Sequence, residues 1–250
     1  YLSVASKAAG FALLIRFVKI LFISDITEQG FWQLADTFHW SYFIMIISIL
    51  TMTVGNFAAL WQQNIKRMLA YSSIAHAGYM LAAFSVMSEQ GVNAILIYFI
   101  VYILTNLGAF LVIILISNKI GKEDIDDYDG LGYQMPFIGV ALTIFLVSLT
   151  GLPPTAGFIG KFYVFISLLD ARNIPLAIIA VLNSVVSLYY YVRVIKHLYL
   201  NKPKDEKREY TFSITENILL LLLVIPVIVF GLYFNPLQEL AKYSSLLFGF

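Results

Sequence analysis

TGLPPTAGFIGKF, residues 150–162, interrupts an apolar segment running from Met135 to about Leu169 and places a lysine just past the interruption. A straight helix of about 35 residues would be roughly 50 Å long, against about 30 Å for the hydrocarbon core of a bilayer. Pro153 and Pro154 lack amide donors and push the residues before them out of helical geometry, while Gly151 and Gly157 accept unusual backbone angles. The spacing predicts two half-helices joined by a non-helical link. Open backbone at membrane depth leaves amides and carbonyls unpaired, so it persists only where protein or a hydrated cavity surrounds it. Lys161 falls about two turns into the second half-helix.

The rest of the chain agrees with a membrane setting. Hydrophobic residues make up 60% of its 250 positions and charged residues only 12%, where an ordinary soluble domain has roughly 25% charged residues. The fold class expected is all-α, a polytopic membrane helix bundle. A net charge of +1 argues against a polyanion-binding role, and no basic, aromatic-laced patch of the nucleic-acid kind is present. The chain has no cysteine, which removes disulfides, zinc ribbons, iron–sulfur clusters and thiol catalysis together. Tyr1 falls partway into an apolar stretch without a signal-peptide pattern, so further chain is expected upstream of it.

Apolar runs near 2–23, 40–61, 68–87, 92–117, 135–169, 174–199 and 214–234 give about seven spans. Lys66 and Arg67 lie in the second connection, Lys119 and Lys122 in the fourth, and Lys202, Lys204, Lys207 and Arg208 in the sixth. Basic residues favour the cytoplasmic side, so the even-numbered connections are expected inside and Phe250 outside. The alternation works only if the broken segment counts as one span; Arg16 and Lys19 fit it poorly. Glu123, Asp124, Asp126, Asp127 and Asp129 in the fourth connection lack the spacing of a calcium loop and read as a solvated stretch. Ser213-Ile-Thr-Glu216 has capping-box spacing and predicts the start of the last span.

Ionisable groups within the spans need a reason, because a charge at the bilayer centre costs at least about 2.5–3.5 kcal/mol on insertion scales. Two lysines stand there, Lys7 and Lys161. An amine removed from water exchanges its proton more readily than one in water, which suits a proton carrier. The alternative is snorkelling, in which the stem lies along the helix and the head reaches the interface. Polar residues also recur at helical spacing: Ser72, His76 and Tyr79; Tyr98, Tyr102 and Asn106; Asn183, Ser187 and Tyr191; Ser3 and Lys7. Facing the bundle, these stripes could order water between ionisable groups, with His76 as an exchanging member; the alternative is packing between helices. Arg193, Lys196 and His197 end the sixth span and read as orientation anchors. Thr105 and Thr143 receive no role.

Four blocks carry a family resemblance: WQQNIKRMLAYSSIAHAGYMLAAF at 61–84, LTNLGAF at 104–110, SLTGLPPTAGFIGKFYVF at 148–165 and LYYYVRV at 188–194. In this order they resemble the antiporter-like subunit N of proton-pumping NADH:quinone oxidoreductase, respiratory complex I. The LTNLGAF block favours subunit N over its sister subunits. The resemblance implies that residues 1–250 form a single transmembrane antiporter-like domain, the second half of a longer subunit. Lys7 in SVASK then matches a lysine linking two half-channels, Lys161 in GFIGK the terminal proton-exchange lysine of a broken helix, and His76 in SSIAH a member of the hydrated axis between them. SVASK departs from a frequent proline-containing form of that motif.

The same resemblance implies a catalytic proton relay of Lys7, Lys161 and His76 in this chain, with no cofactor or metal bound to it. NADH, flavin, iron–sulfur clusters and quinone would belong to partner subunits. Its partners would be other complex I membrane subunits, lipid, protons and ordered water, in an energy-coupling membrane, the bacterial plasma membrane. A subunit of a multisubunit sodium/proton antiporter shares the broken-helix and lysine features, and a structural membrane spacer is the remaining alternative.

Overall fold

The computed structural model describes residues 2–34, 39–203 and 210–246. Tyr1, Lys204, Lys207, Arg208, Phe250 and the side chain of Ser3 lie outside the described residues. The chain is an all-α bundle. Its helices are α1 (Leu2–Phe22), α2 (Trp40–Leu60), α3 (Ile65–Ser85), α4 (Glu89–Ile120), the short α5 (Leu131–Gln134), α6 (Pro136–Thr150), α7 (Ala156–Asp170), α8 (Ile174–Tyr199), α9 (Ile214–Leu232) and α10 (Asn235–Leu246). Strands β1 (Ile23–Ile26) and β2 (Trp32–Leu34) pair antiparallel between α1 and α2, with an irregularity between Ile23 and Asp25. The hairpin, α5 and α10 were not anticipated by the apolar-run reading, nor was the 3-10 turn at Ile125–Tyr128.

Helix boundaries follow local chemistry. Asn64 and Ser88 accept from the backbone amides of Arg67 and Gly91, capping α3 and α4. Gly121 ends α4 in the left-handed region that other residues avoid. At the start of α9 the expected capping box is complete: Ser213 Oγ accepts from the Glu216 amide and the Ser213 amide donates to the Glu216 carboxylate.

Among the described residues, α2, α4, α8 and α9 are long and apolar enough to cross a membrane by length and composition. α1 and α3 are also 21 residues each, but α1 carries Lys7, Arg16 and Lys19, and α3 carries several serines and His76. The outer faces are apolar: Ile46, Leu50 and Val54 on α2, Leu182 and Val185 on α8, and Ile218, Leu222 and Ile225 on α9 are all exposed. Polar side chains go inward instead, with Ser48, Asn56, Ser72, His76, Asn106, Lys161 and Ser187 all buried. A bundle that shows lipid-like surface and hides its polar groups is built for a membrane.

The connections segregate to two ends. At one, the Ile65 amide donates to the Glu123 carbonyl, the Ile125 amide to the Gln63 carbonyl and the Gly130 amide to the His197 carbonyl, so the second, fourth and sixth connections meet. At the other, the β-hairpin joins the turn after α3 through the Trp32 amide on the Met87 carbonyl and the Glu89 amide on the Gly30 carbonyl. The acidic fourth connection is tied down as well as solvated. Lys66 pairs with Glu123 at 2.6 Å, and His197 Nδ1 lies 2.6 Å from an Asp129 oxygen. The Lys66 ammonium and the Asn64 amide beside Glu123 hold its carboxyl below the ordinary value of 4.5. Arg193 donates to the carbonyls of Leu60 and Gln62, where its guanidinium satisfies the end of α2.

Candidate functional site

The helix break lies where the prolines require it. α6 stops at Thr150, Gly151 takes a left-handed φ of 85°, and α7 starts at Ala156. In a continuous helix the Thr150 carbonyl would accept from the amide four residues on, but that residue is Pro154 and has no N–H. Lys161 and Ser184 fill the vacancy. Lys161 Nζ donates to the Thr150 carbonyl at 2.7 Å and to Ser184 Oγ, on α8, at 2.7 Å; Ser184 Oγ in turn reaches the same carbonyl at 3.3 Å. The half-helices cross closely because Gly157 carries no side chain: its amide donates to Ser148 Oγ at 3.0 Å, and a Cβ there would strike the Ser148 carbonyl.

Lys161 is only 3% exposed. Its polar partners are a neutral carbonyl and a neutral hydroxyl, and its ammonium sits 4.9 Å from the centroid of the Tyr79 ring. A cation over an aromatic face is favourable, more so when desolvated. The side chain is therefore held inside the bundle and does not snorkel.

His76, on α3, is buried between two tyrosines. Nδ1 is 2.7 Å from the Tyr98 hydroxyl of α4, and Nε2 is 3.2 Å from the Tyr191 hydroxyl of α8. A neutral imidazole has one donor and one acceptor, so one tyrosine donates to it while the other accepts. Exchanging the tautomer reverses the direction of the whole Tyr98–His76–Tyr191 chain. The Tyr102 ring lies tilted beside the histidine, centroids 5.1 Å apart. Beyond it, Lys7 is half-buried on α1, donates to the Ser73 carbonyl and stands 5.6 Å from the Tyr102 ring centroid.

The three residues singled out in the sequence thus lie along one polar axis, in the order Lys7, Tyr102, His76, Tyr79, Lys161. A cavity of about 10 Å³, lined by His76, Tyr98, Tyr102, Ser148 and Lys161 among others, joins the histidine and lysine ends. That volume is about enough for one water molecule. The stripes converge here: Ser72, Tyr79, Tyr98, Tyr102, Asn183, Ser187 and Tyr191 are all buried. Asn106 is buried too. Thr105 returns its hydroxyl to the Val101 carbonyl of its own helix and Thr143 does so to Gly139. Sequence reasoning missed four members, Ser184 among them. Thr150 acts through its backbone, which no side-chain pattern reports. Asn56 and Tyr190, hydrogen-bonded to each other at 2.9 Å, fell outside the stripes, although Ser48 and Asn56, eight residues apart on α2, share a buried face. Among the described residues no group of three or more His, Asp or Glu side chains could hold a metal ion.

A bundle with an apolar coat, an opened helix and a buried amine–imidazole axis defines a polytopic membrane protein. The sequence pattern described as NADH:quinone oxidoreductase/Mrp antiporter, TM, matches residues 2–187. The chain belongs to that family of transmembrane proteins. It is 49% identical over 252 aligned residues to NADH-quinone oxidoreductase subunit N 2 of Chloroherpeton thalassium, covering 100% of this chain and 48% of that protein. It is thus about half the length of that relative. Among solved structures, it resembles a chain of the membrane-bound sulfane sulfur reductase, an archaeal respiratory membrane complex, with a TM-score of 0.84 and 26% identity over 97% of this chain and 47% of that one. It also resembles a chain of respiratory complex I from Thermus thermophilus, with a TM-score of 0.68 and 30% identity over 79% of this chain and 45% of that one.

Proposed function

We propose that this chain is the proton-translocating part of a subunit N of NADH:quinone oxidoreductase, with Lys161, His76 and Lys7 passing protons through ordered water. The observation that carries the reading is Lys161, buried at a helix break and held by a carbonyl that the break itself leaves open. Redox chemistry belongs to partner subunits, which would hold NADH, flavin, iron–sulfur clusters and quinone. This chain crosses a bacterial plasma membrane about seven times, its even-numbered connections inside and its C-terminus outside, bound to the other membrane subunits of the complex.

In the mechanism, a conformational or electrostatic change arriving along the membrane alters the proton affinity of Lys7, and charge repulsion passes the change on to Lys161. Two unit charges about 10 Å apart at an effective dielectric of about 20 interact by roughly 1.7 kcal/mol. Moving one proton against 100 mV takes about 2.3 kcal/mol. A single repulsion falls short, so changes in hydration or further coupled steps must add to it. The Tyr98–His76–Tyr191 chain supplies one such step, since it must reverse after each proton it conducts.

The family description also names Mrp antiporters, which supports a second reading as a sodium/proton antiporter subunit. Affinity purification of the full-length subunit from its own membrane separates the two. Flavin- and iron–sulfur-bearing partners are expected; an assembly of membrane subunits alone would favour the antiporter reading.

A further inference from the structure

Asn56 is 0% exposed on α2, and its amide is fully used. Its oxygen accepts from the Tyr190 hydroxyl at 2.9 Å, and its nitrogen donates to the Asn183 carbonyl at 3.1 Å and to Asn183 Oδ1 at 3.0 Å. Asn183 Nδ2 donates onward to the Ile179 carbonyl at 3.0 Å. A seam between two membrane helices needs no amides to pack, and every one placed there has to find partners. This set lies directly behind the proton-handling axis. Tyr190 and Tyr191 are neighbours on α8 with ring centroids 4.5 Å apart; the first ends on Asn56 and the second on His76. The Tyr79 ring lies under Lys161.

We propose that Asn56 is a positioning residue that sets the tyrosine contact of His76. Through Tyr190 it fixes the Tyr191 ring and hence the 3.2 Å contact to His76 Nε2. The groups that face His76 are Tyr98 and Tyr102 from α4, Tyr191 from α8 and Tyr79 from its own helix, with Lys161 and Lys7 acting on it by charge. Asn56 touches none of the moving protons, so its removal alters where the carriers stand without removing a carrier. The inference rests on the relay reading of Lys161 and His76.

The test uses the assembled complex in sealed vesicles, with pumping per electron measured across a range of pH. Asn56→Leu, close to isosteric, breaks three buried hydrogen bonds and is expected to lower pumping by at least roughly three- to tenfold, the range for losing one, and to displace the pH optimum. Tyr190→Phe, which deletes a single hydroxyl, is expected to displace it in the same direction with a smaller loss, and it answers the question even where Asn56→Leu does not assemble. Combining the two removes both partners of the Asn56–Tyr190 bond but leaves the Asn183 acceptors without their donor, so thermal stability should recover only in part while the pH profile stays displaced. A wild-type profile in Asn56→Leu or, where that variant does not assemble, in Tyr190→Phe overturns the proposal. So does full recovery of pumping in the double variant, which would leave Asn56 a packing residue. Lys161→Ala runs beside them. If it pumps normally, the relay reading itself fails; if it stops pumping while the Asn56 and Tyr190 variants are unaffected, only the positioning inference fails.

Discussion

Lys161 and Thr150 are eleven positions apart in sequence yet joined by a 2.7 Å hydrogen bond across the helix break. The bond exists because Pro154 withholds the amide that would otherwise occupy the Thr150 carbonyl. One local defect therefore opens the helix, exposes an acceptor and gives a buried amine somewhere to sit. Site and fold are the same feature at this point.

Gly151 is a position where that arrangement tolerates little. Its φ of 85° is costly for other residues, about 1–3 kcal/mol. An added Cβ would also lie 2.6 Å from Lys161 Cδ. Gly151→Ala is expected to lower the melting temperature of the purified subunit and to push Lys161 off Thr150, with coupled pumping falling more than assembly does. Unchanged pumping with a lowered Tm would show that the carbonyl contact does not govern transport.

The two tyrosines on His76 should not be equivalent. Tyr98 is closer to the ring than Tyr191, 2.7 Å against 3.2 Å. Removing either hydroxyl strips a buried ring nitrogen of a partner, at about 1–3 kcal/mol. Tyr98→Phe is expected to reduce pumping more than Tyr191→Phe, with both complexes assembled. Equal rates in wild type and both variants would remove the histidine from the relay.

At the loop end, the sign of the pH effect is fixed by Glu123. Its carboxyl is held below the ordinary value by Lys66 and Asn64, so the link contributes stability above the unfolded carboxyl value and loses it as pH falls through the lower folded value. Thermal melting of wild type and Glu123→Gln should differ slightly at neutral pH and converge in acid below 4.5. A gap that persists or grows in acid would assign the effect to packing. High salt should shrink the neutral gap, because both partners are partly exposed.

Much of this was legible before any coordinates. Two prolines in a row between glycines announce a break in any long apolar run, and polar residues at three- and four-residue spacing announce a shared face; both rules act within one helix. What stayed hidden crosses between helices. Nothing in TGLPPTAGFIGK says that the lysine finds a backbone carbonyl, nor that Ser184 arrives from α8 to share it. Asn56 was missed because its partners, Tyr190 and Asn183, lie more than a hundred residues away in sequence. Residues 23–34 were missed as a hairpin because ISDI and WQL are too short to outweigh their surroundings; the pairing is completed by the turn after α3. α10 was missed because NPLQELAKYSSL is not a span, although Leu237 and Ala241 bury themselves against α4 and α7.

The most direct measurement is proton pumping in vesicles carrying the complete complex, wild type beside Lys161→Ala, with NADH oxidation followed in parallel. Loss of pumping and of coupled oxidation with assembly intact is the predicted result if, as proposed, the amine at the break carries the proton. Pumping per electron equal to wild type would contradict it and leave Lys161 as a clasp for the broken helix and nothing more.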